Sequence, residues 1–558
     1  MVPKAIVKTV SAYDYPLIIR HLLHTPKQIA KDMEIVYRDI KRIKYGEFFE
    51  RLERLANMLR RLGVKPGSVV GVMDWDSHRY LECYFAVPMM GAVLHTINVR
   101  LSPEQILYTI NHAEDEILLV NSDFLPIVEK FRDQLKTVKN IILIQDTPQS
   151  YSSSINVVGE YEDLIKESEP EYNFEDFPEN TMATLFYTTG TTGNPKGVYF
   201  SHRQIVLHTL ARAAQTALKP GGNFINRADV YMPLTPMFHV HAWGFPYTAT
   251  MLGIKQVYPG RYEPETILKL ITSEKVTVSH CVPTLLHMLL THPKSKDFDL
   301  SGWRVGVGGA PFPEAICKAA LERGIDASSG YGMSETCPEI AHAFLQPFMV
   351  NWSIDEQVKI RTKTGIPIML VEMKIVDPNG KELPHDGKST GELIVRGPWF
   401  TQGYFKDPEK SEELWRGGWL HTGDVGYIDP QGYLKITDRI KDIIKTGGEW
   451  VSSIELENII LKHEAVSEAA AIGVSHEKWG ERPIVLVVLK PDYVNKVTEE
   501  DLKRFFGEFV EKGLITKWAI PDRIIFVGAL PKTSIGKLDK KLMRHQIKEL
   551  MNMEICRE

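Results

Sequence analysis

Cysteine is scarce in this chain, with five in 558 residues at Cys83, Cys281, Cys317, Cys337 and Cys556. None forms a CxxC pair, so neither a zinc ribbon nor a disulfide scaffold is indicated. The scattered, odd set reads as reduced thiols packed as small apolar residues. No apolar run approaches the ~20 residues that a membrane span needs. The opening MVPKAIVKTVSAYDYP lacks an apolar signal core, and the closing EICRE carries neither a lipidation box nor a peroxisomal address. The expected location is cytoplasmic. Neither sign of charge dominates, and a net charge of -5 gives no electrostatic reason to bind nucleic acid. Solenoid-type repeats and low-complexity tails are missing too.

What is present is ordinary globular material, 43% hydrophobic and 25% charged, long enough for more than one domain. The stretch RLERLANMLRRLGVKPGSVVGVM sets Leu55, Met58, Leu59 and Leu62 at helical spacing. A KPG turn follows, then an apolar run, Val69, Val70, Val72 and Met73, that predicts a buried strand. LSPEQILYTINHAEDEILLV repeats the scheme behind a capping box of Ser102 and Gln105. This alternation predicts an α/β fold with a largely parallel sheet. Residues 145–180, rich in Ser, Glu and Pro, read as a surface connection. A second alternating stretch runs to about Val350. VEMKIVD, GELIVRG and GYLKITD then predict a β-rich part. After Asp438 the pattern becomes α+β, with ELENIILKHE helical, AAAIGV and PIVLVVLK as strands, and an amphipathic helix starting at Thr498.

One loop asks for chemistry. TTGTTGNPKG, Thr188 to Gly197, follows the β-prone ATLFYT and precedes a helix capped by Ser201 and Gln204, with Val206, Leu210, Ala213 and Ala217 on one helical face. A glycine loop between strand and helix lets backbone N–H groups cradle phosphate, while threonine hydroxyls and Lys196 add donors and charge. It is not the common NTPase loop, GxxxxGK followed by Ser or Thr. Pro195 stands where that pattern has its second glycine, and Gly197 follows Lys196. On physics alone, phosphate loop and flexible turn both stand.

TTGTTGNPKG resembles the phosphate loop of the adenylate-forming superfamily, which includes acyl-CoA synthetases, luciferases and peptide-synthetase adenylation domains. Further motifs follow in the family's order. They are GGAP at Gly308–Pro311, YGMSET at Tyr331–Thr336, the run HTGDVGYIDPQGYLKITDRIKDIIKTGGEWVSSIELE from His421, and PKTSIGK at Pro531–Lys537. PMFHVHAWGFPY and GGEWVSS are similar to the prokaryotic medium- to long-chain fatty acyl-CoA synthetases. The resemblance spans nearly the whole chain. It implies a large N-terminal ATP- and acyl-binding domain (1–438) of layered α/β subdomains plus the β-rich part, and a small mobile α+β C-terminal domain (439–558).

The implied reaction is ATP-dependent. A carboxylate attacks the α-phosphorus to give acyl-AMP and pyrophosphate, and the CoA thiol then takes the acyl group and releases AMP. Phosphate would be held by Thr188, Thr189, Gly190, Thr191, Thr192, Gly193 and Lys196. Mg2+ would be held by Glu335 with the Thr188 hydroxyl, since Mg2+ accepts one or two protein oxygens and keeps water and phosphate oxygens. Adenine would lie against Gly309, Ala310, Pro311, Ser329, Gly330, Tyr331, Gly332 and Ser334. The ribose would meet Asp424, with Arg439 as its partner. Lys441 falls in the hinge region, and Lys445 and Trp450 match positions that approach the nucleotide. Lys537 would bridge the carboxylate and the α-phosphate. His239 would stand beside the substrate carboxylate. Amino-acid-activating relatives carry Asp there, so His239 argues against an amino acid. Trp243 matches an aromatic gate to the acyl tunnel. HxH, His239 and His241, has no third ligand nearby and reads as no metal site. For Tyr331, Trp243 and Trp450 a plain core role also stands, and for Asp424 a surface turn.

The expected substrate is a medium- to long-chain fatty acid, with a short-chain, sulfur-containing or aryl acid as the alternative. A non-catalytic nucleotide-binding protein is the reading from another class, against which Glu335, Asp424 and Lys537 argue. Homodimers are common in the subgroup, but no pattern in the N-terminal segment ties this chain to one.

Overall fold

The structure is a computed structural model that describes residues 4–147, 154–188, 194–222, 224–446, 449–532 and 538–555, with backbone alone at 449, 450 and 550–555. The helix Tyr45–Arg61 buries Phe48, Leu52, Leu55, Met58 and Leu59 along one stripe, the face that the apolar spacing predicts. The following strand Val69–Met73 lies between parallel neighbours Val93–Thr96 and Asp115–Asn121. These belong to a sheet ordered Gly159–Glu160, Asn140–Ile144, Asp115–Asn121, Val69–Met73, Val93–Thr96, Met182–Tyr187 and Gly197–Ser201. All its pairs are parallel except the last, an antiparallel hairpin. Strands buried on both faces need near-continuous apolar sequence, which is what VVGVM and EILLV supply.

A second sheet is ordered Ile366–Pro367, Glu339–His342, Asp326–Gly332, Arg304–Val307, Val278–Cys281, Val230–Leu234, Lys255–Tyr258, Glu34–Tyr37 and Lys41–Lys44. Its middle is parallel and both ends turn antiparallel. The β-rich part is an antiparallel sheet of Glu372–Val376, Gly391–Arg396, Leu420–Ile428 and Leu434–Arg439. The smaller C-terminal domain holds the hairpins Ile444–Thr446 with Glu449–Val451 and Val466–His476 with Gly480–Leu489, extended by Arg523–Phe526. The amphipathic helix Glu499–Glu511 packs there behind its Thr498 and Asp501 capping box. Cys83, Cys281, Cys317 and Cys337 are free and buried.

Two sequence readings need correction. Residues 145–180 are more than a surface connection. They contain the strand Gly159–Glu160 and the helix Tyr161–Lys166, and buried Tyr161 donates to Glu82 Oε2 at 2.6 Å. That contact completes a buried cluster in which Arg51 binds Glu82 and Glu162. The polar sequence there serves a buried ion network. The helix His202–Gln215 also differs. Leu210 is 46% exposed, while His208, Arg212 and Gln215 are buried on its inward stripe. Its inner face is polar because it packs against polar residues of the second sheet.

Asp76 joins the two large sheets. Its carbonyl accepts from Gly260 N–H at 3.0 Å. Its carboxylate accepts from Met237 N–H at 2.8 Å and from the Tyr262 hydroxyl at 2.6 Å. Burial pushes its carboxyl from the ordinary 3.8 up to about 7. The folded chain therefore keeps a proton that the unfolded chain releases. This contribution to stability is full below about 3.8 and is lost as pH rises through about 7. In thermal melts taken across that window, Asp76→Asn is expected to flatten this fall of stability with rising pH. It should also lower the melting temperature throughout, because one acceptor becomes a donor at a cost of about 1–3 kcal/mol. An unchanged pH slope would contradict the assignment.

Candidate active site

Gly309–Pro311 and Tyr331–Gly332 lie at the carboxyl ends of neighbouring parallel strands, where open α/β sheets bind ligands. Gly309–Pro311 follow the strand Arg304–Val307 and are exposed. Tyr331 and Gly332 end the neighbouring strand Asp326–Gly332. The Tyr331 hydroxyl donates to Asp424 Oδ2 at 2.6 Å, and Arg439 Nε lies 3.1 Å from Asp424 Oδ1. Asp424 and Arg439 are register partners on adjacent strands, which fixes the pair by backbone alone. Asp424 is 5% exposed, whereas the Arg439 side chain is about half exposed. Burial and the Asp424 carboxylate push the Tyr331 phenol well up, so it remains a donor.

The TTGTTGNPKG loop closes the antiparallel hairpin between Met182–Tyr187 and Gly197–Ser201, and the helix begins only after the second strand, at His202. Thr188 N–H donates to the Lys196 carbonyl at 2.9 Å. Thr189, Gly190, Thr191, Thr192 and Gly193 lie outside the described residues. Lys196 Nζ sits 4.4 Å from the centre of the Tyr404 ring, and the Tyr404 hydroxyl donates to Glu335 Oε1 at 2.6 Å. Glu335 is buried, and its carbonyl accepts from Thr401 N–H at 2.9 Å. Tyr404 thus links Lys196 of the Met182–Ser201 hairpin to the YGMSET loop. Sequence reasoning did not identify it, since one tyrosine among the four aromatics of PWFTQGYF carries no periodic or charge signal. The donor set of one carboxylate and the Thr188 hydroxyl suits Mg2+, a hard cation that completes its shell with water and phosphate oxygens.

The segment PMFHVHAWGFPY departs from ordinary backbone. Val240, His241, Ala242, Trp243 and Gly244 all have positive φ, from 46° to 74°, and form a turn of left-handed helix. Each non-glycine residue there costs roughly 1–2 kcal/mol. The turn is held at its entrance by Asp76 on Met237 N–H, Tyr84 on the Met237 carbonyl and Thr96 on the Phe238 carbonyl. Gly244 has no alternative, because a Cβ there would lie 2.5 Å from the His208 ring. The turn brings Trp243 against Gly308 and Gly309. A Cβ at Gly308 would lie 3.1 Å from the indole and 2.7 Å from the Gly330 carbonyl oxygen. His239, half-buried, starts the turn and accepts from Ala242 N–H through its carbonyl at 3.1 Å. His241 points elsewhere, into a box of Tyr84, Phe186, Phe200 and Tyr247, and burial pushes its pKa down to about 3, so it is neutral.

Ser329 is buried, and its carbonyl accepts from Ala343 N–H at 2.8 Å, while half-buried Ser334 opens the turn that holds Glu335. Lys441 is exposed and follows the strand that ends at Arg439. Lys445 and Trp450 face each other across the C-terminal hairpin, and Lys445 N–H donates to Glu481 at 2.9 Å. The Trp450 side chain and all of Lys537 lie outside the described residues. One connected path therefore runs from Trp243 through Gly308, Gly330, Tyr331 and Asp424 to Arg439. A second runs from Lys196 through Tyr404 to Glu335, and the two meet in the YGMSET loop.

Known proteins carry the same architecture. The chain is 40% identical over 514 residues to a long-chain-fatty-acid–CoA ligase of Thermus thermophilus, covering 91% of each chain. It is 40% identical over 543 residues to a 3-methylmercaptopropionyl-CoA ligase of Ruegeria lacuscaerulensis, covering 96% of this chain and 98% of that one. The crystal structure of an anthranilate CoA ligase in complex with anthranoyl-AMP superposes with a TM-score of 0.81 at 24% identity, covering 96% and 98% of the two chains. Residues 24–405 match the AMP-binding enzyme family, and residues 455–537 match the AMP-binding enzyme C-terminal domain. The chain therefore belongs to the AMP-binding enzyme family, as an acyl-CoA ligase.

Proposed function

We propose that this ligase activates an aliphatic carboxylic acid with ATP and passes the acyl group to CoA. The observation that carries the reading is the joined pair of paths in the cleft. A carboxylate aligned for a sugar edge stands at one end, a cation and a buried carboxylate at the other, and a tryptophan closes the side. In the first step a carboxylate oxygen bonds to the α-phosphorus, and the α–β bridging bond breaks with its electron pair leaving on pyrophosphate. Asp424, oriented by Tyr331 and Arg439, accepts from the ribose hydroxyls. Lys196 and the threonine hairpin hold the leaving pyrophosphate. Bound Mg2+, held by Glu335 and the Thr188 hydroxyl, would neutralise charge on the phosphates. His239 stands by the substrate carboxylate, and Lys537 bridges it to the α-phosphate. In the second step the CoA sulfur bonds to the acyl carbon and the acyl–phosphate oxygen bond breaks, releasing AMP.

We further propose that the domains divide after Asp438 and that rotation there removes Lys537 and admits CoA, with Lys441 in the hinge. Support comes from Asp438, whose carboxylate accepts from Ser453 N–H at 2.5 Å across that boundary, and from Arg544, which binds Asp442 at 2.8 Å. The named relatives span acids from long alkyl to short sulfur-containing, which supports an aliphatic acid and leaves its length to the pocket.

Exchange of labelled pyrophosphate into ATP, dependent on added carboxylic acid, tests the reading, and no exchange with any acid would end it. Asp424→Ala is expected to lower kcat/KM for ATP roughly 10- to 100-fold, the worth of a charged hydrogen bond of about 1.5–3 kcal/mol. A loss confined to the acid's KM would argue against a ribose contact. Lys537→Ala should cut acyl-AMP formation by about 10²–10³-fold. It should still convert supplied acyl-AMP to thioester, and loss of both steps would contradict its role.

A further inference from the structure

Lys196 and Glu335 carry opposite charge and touch the same side chain, yet they do not pair. The Lys196 ammonium lies over the face of the Tyr404 ring, 4.4 Å from its centre. The Glu335 carboxylate takes the Tyr404 hydroxyl at 2.6 Å through Oε1. Among the described residues neither charge makes an ion pair, and that hydroxyl is the one donor to the carboxylate. Glu335 is buried and Lys196 is half-buried. A buried carboxylate held by a single neutral donor is short of compensation, and a lysine on a flexible stem nearby is a ready partner. One tyrosine keeps the two apart, with the cation on its face and the anion at its edge.

The ring is held firmly in that place. Tyr404 is buried, and its backbone bridges to Val198 in the strand Gly197–Ser201. Its N–H donates to Ser411 Oγ at 2.8 Å, and Phe405 N–H donates to the Gly197 carbonyl at 2.8 Å. Thr401 donates through its hydroxyl to the Tyr199 carbonyl and through its N–H to the Glu335 carbonyl, both at 2.9 Å. Residues 401–405 therefore fasten the hairpin of Lys196 and the turn of Glu335 to one frame. Two glycines let that frame close. A Cβ at Gly197 would lie 3.0 Å from the Phe405 Cβ, and one at Gly403 would lie 2.5 Å from Ser411 Oγ.

Each part of the tyrosine suits the charge it meets. A phenol donates to a carboxylate and fixes its plane without adding charge. A ring face attracts an ammonium weakly enough to release it to a phosphate. A direct Lys196–Glu335 pair would satisfy both groups and leave neither for a ligand, since a buried pair is costly to break. We propose that Tyr404 is a positioning residue for the nucleotide's phosphates. Its hydroxyl fixes the Glu335 carboxylate for a divalent cation, and its ring holds the Lys196 ammonium off that carboxylate until a phosphate takes it. This rests on the ligase reading above and adds a residue that acts through Lys196 and Glu335.

The test is calorimetric binding of ATP to the full chain without added acid, once in Mg2+ and once in EDTA. The ratio of the two affinities is the gain from Mg2+. Tyr404→Phe keeps the ring and removes the hydroxyl. Its affinity in EDTA is expected to stay within about two-fold of wild type, while the gain from Mg2+ falls about ten-fold, the worth of one hydrogen bond to a charged group. Tyr404→Leu also removes the ring, so Lys196 should reach Glu335 and the gain should disappear. Adding Lys196→Met to Tyr404→Leu should then restore part of the gain, a recovery that a purely structural role would not produce. An undiminished gain in Tyr404→Phe would overturn the inference. So would a double variant no better than Tyr404→Leu, or a wild-type chain that binds ATP equally in Mg2+ and EDTA. Should Tyr404→Leu fail to fold, Tyr404→Phe decides. Acid-dependent pyrophosphate exchange by the wild-type chain separates the two readings. Exchange together with an unchanged Tyr404→Phe ends this inference alone, and no exchange with any acid ends the ligase reading.

Discussion

Five successive residues in left-handed backbone decide where Trp243 meets the strand ends at Gly308. An L-residue resists that conformation, and a β-branched one such as Val240 resists it most. The turn persists because both large sheets grip it. Asp76 and Thr96 come from the first sheet's side, His241 is packed among aromatic rings at its centre, and Gly244 lets the His208 ring close underneath. An ordinary right-handed turn would send Trp243 away from Gly308. The strain of a few kcal/mol is thus tied to the placement of Trp243 against Gly308.

The parts of the fold that sequence made legible are those governed by local rules. Leu55, Met58 and Leu59 are buried because a helix repeats every 3.6 residues. Ser102 with Gln105 and Ser201 with Gln204 both form reciprocal caps because the geometry needs only four adjacent residues. The motif order also groups Asp424, Tyr331 and Arg439, which the structure joins through contacts to the Asp424 carboxylate. What stayed hidden depends on partners far along the chain. Leu210 reads as core by apolarity, yet the helix turns His208, Arg212 and Gln215 inward, and Glu339, the partner of Arg212 and Gln215, lies more than a hundred residues later. Tyr404 is joined to Glu335 across sixty-nine residues by a single hydroxyl. The stripe His208, Arg212, Gln215 does repeat at helical spacing. Such a polar stripe is the signal that a hydrophobicity scan discards.

Two buried arginines are paired with glutamates to different degrees. Arg51 spends its guanidinium fully, with Nε and Nη2 on Glu82 and Nη1 and Nη2 on Glu162, and Tyr161 completes Glu82. It ties three helices of the N-terminal domain together. Arg212 is equally buried and also pairs with a glutamate, yet among the described residues its Nε is unmatched, and so is the side-chain carbonyl oxygen of Gln215. Leaving such atoms unpaired costs about 1–3 kcal/mol each, a cost that a finished core arrangement like that of Arg51 avoids. The Arg51 network lies among three helices, whereas the Arg212 cluster joins a helix to the second sheet, where Glu339 and His342 border Gly330.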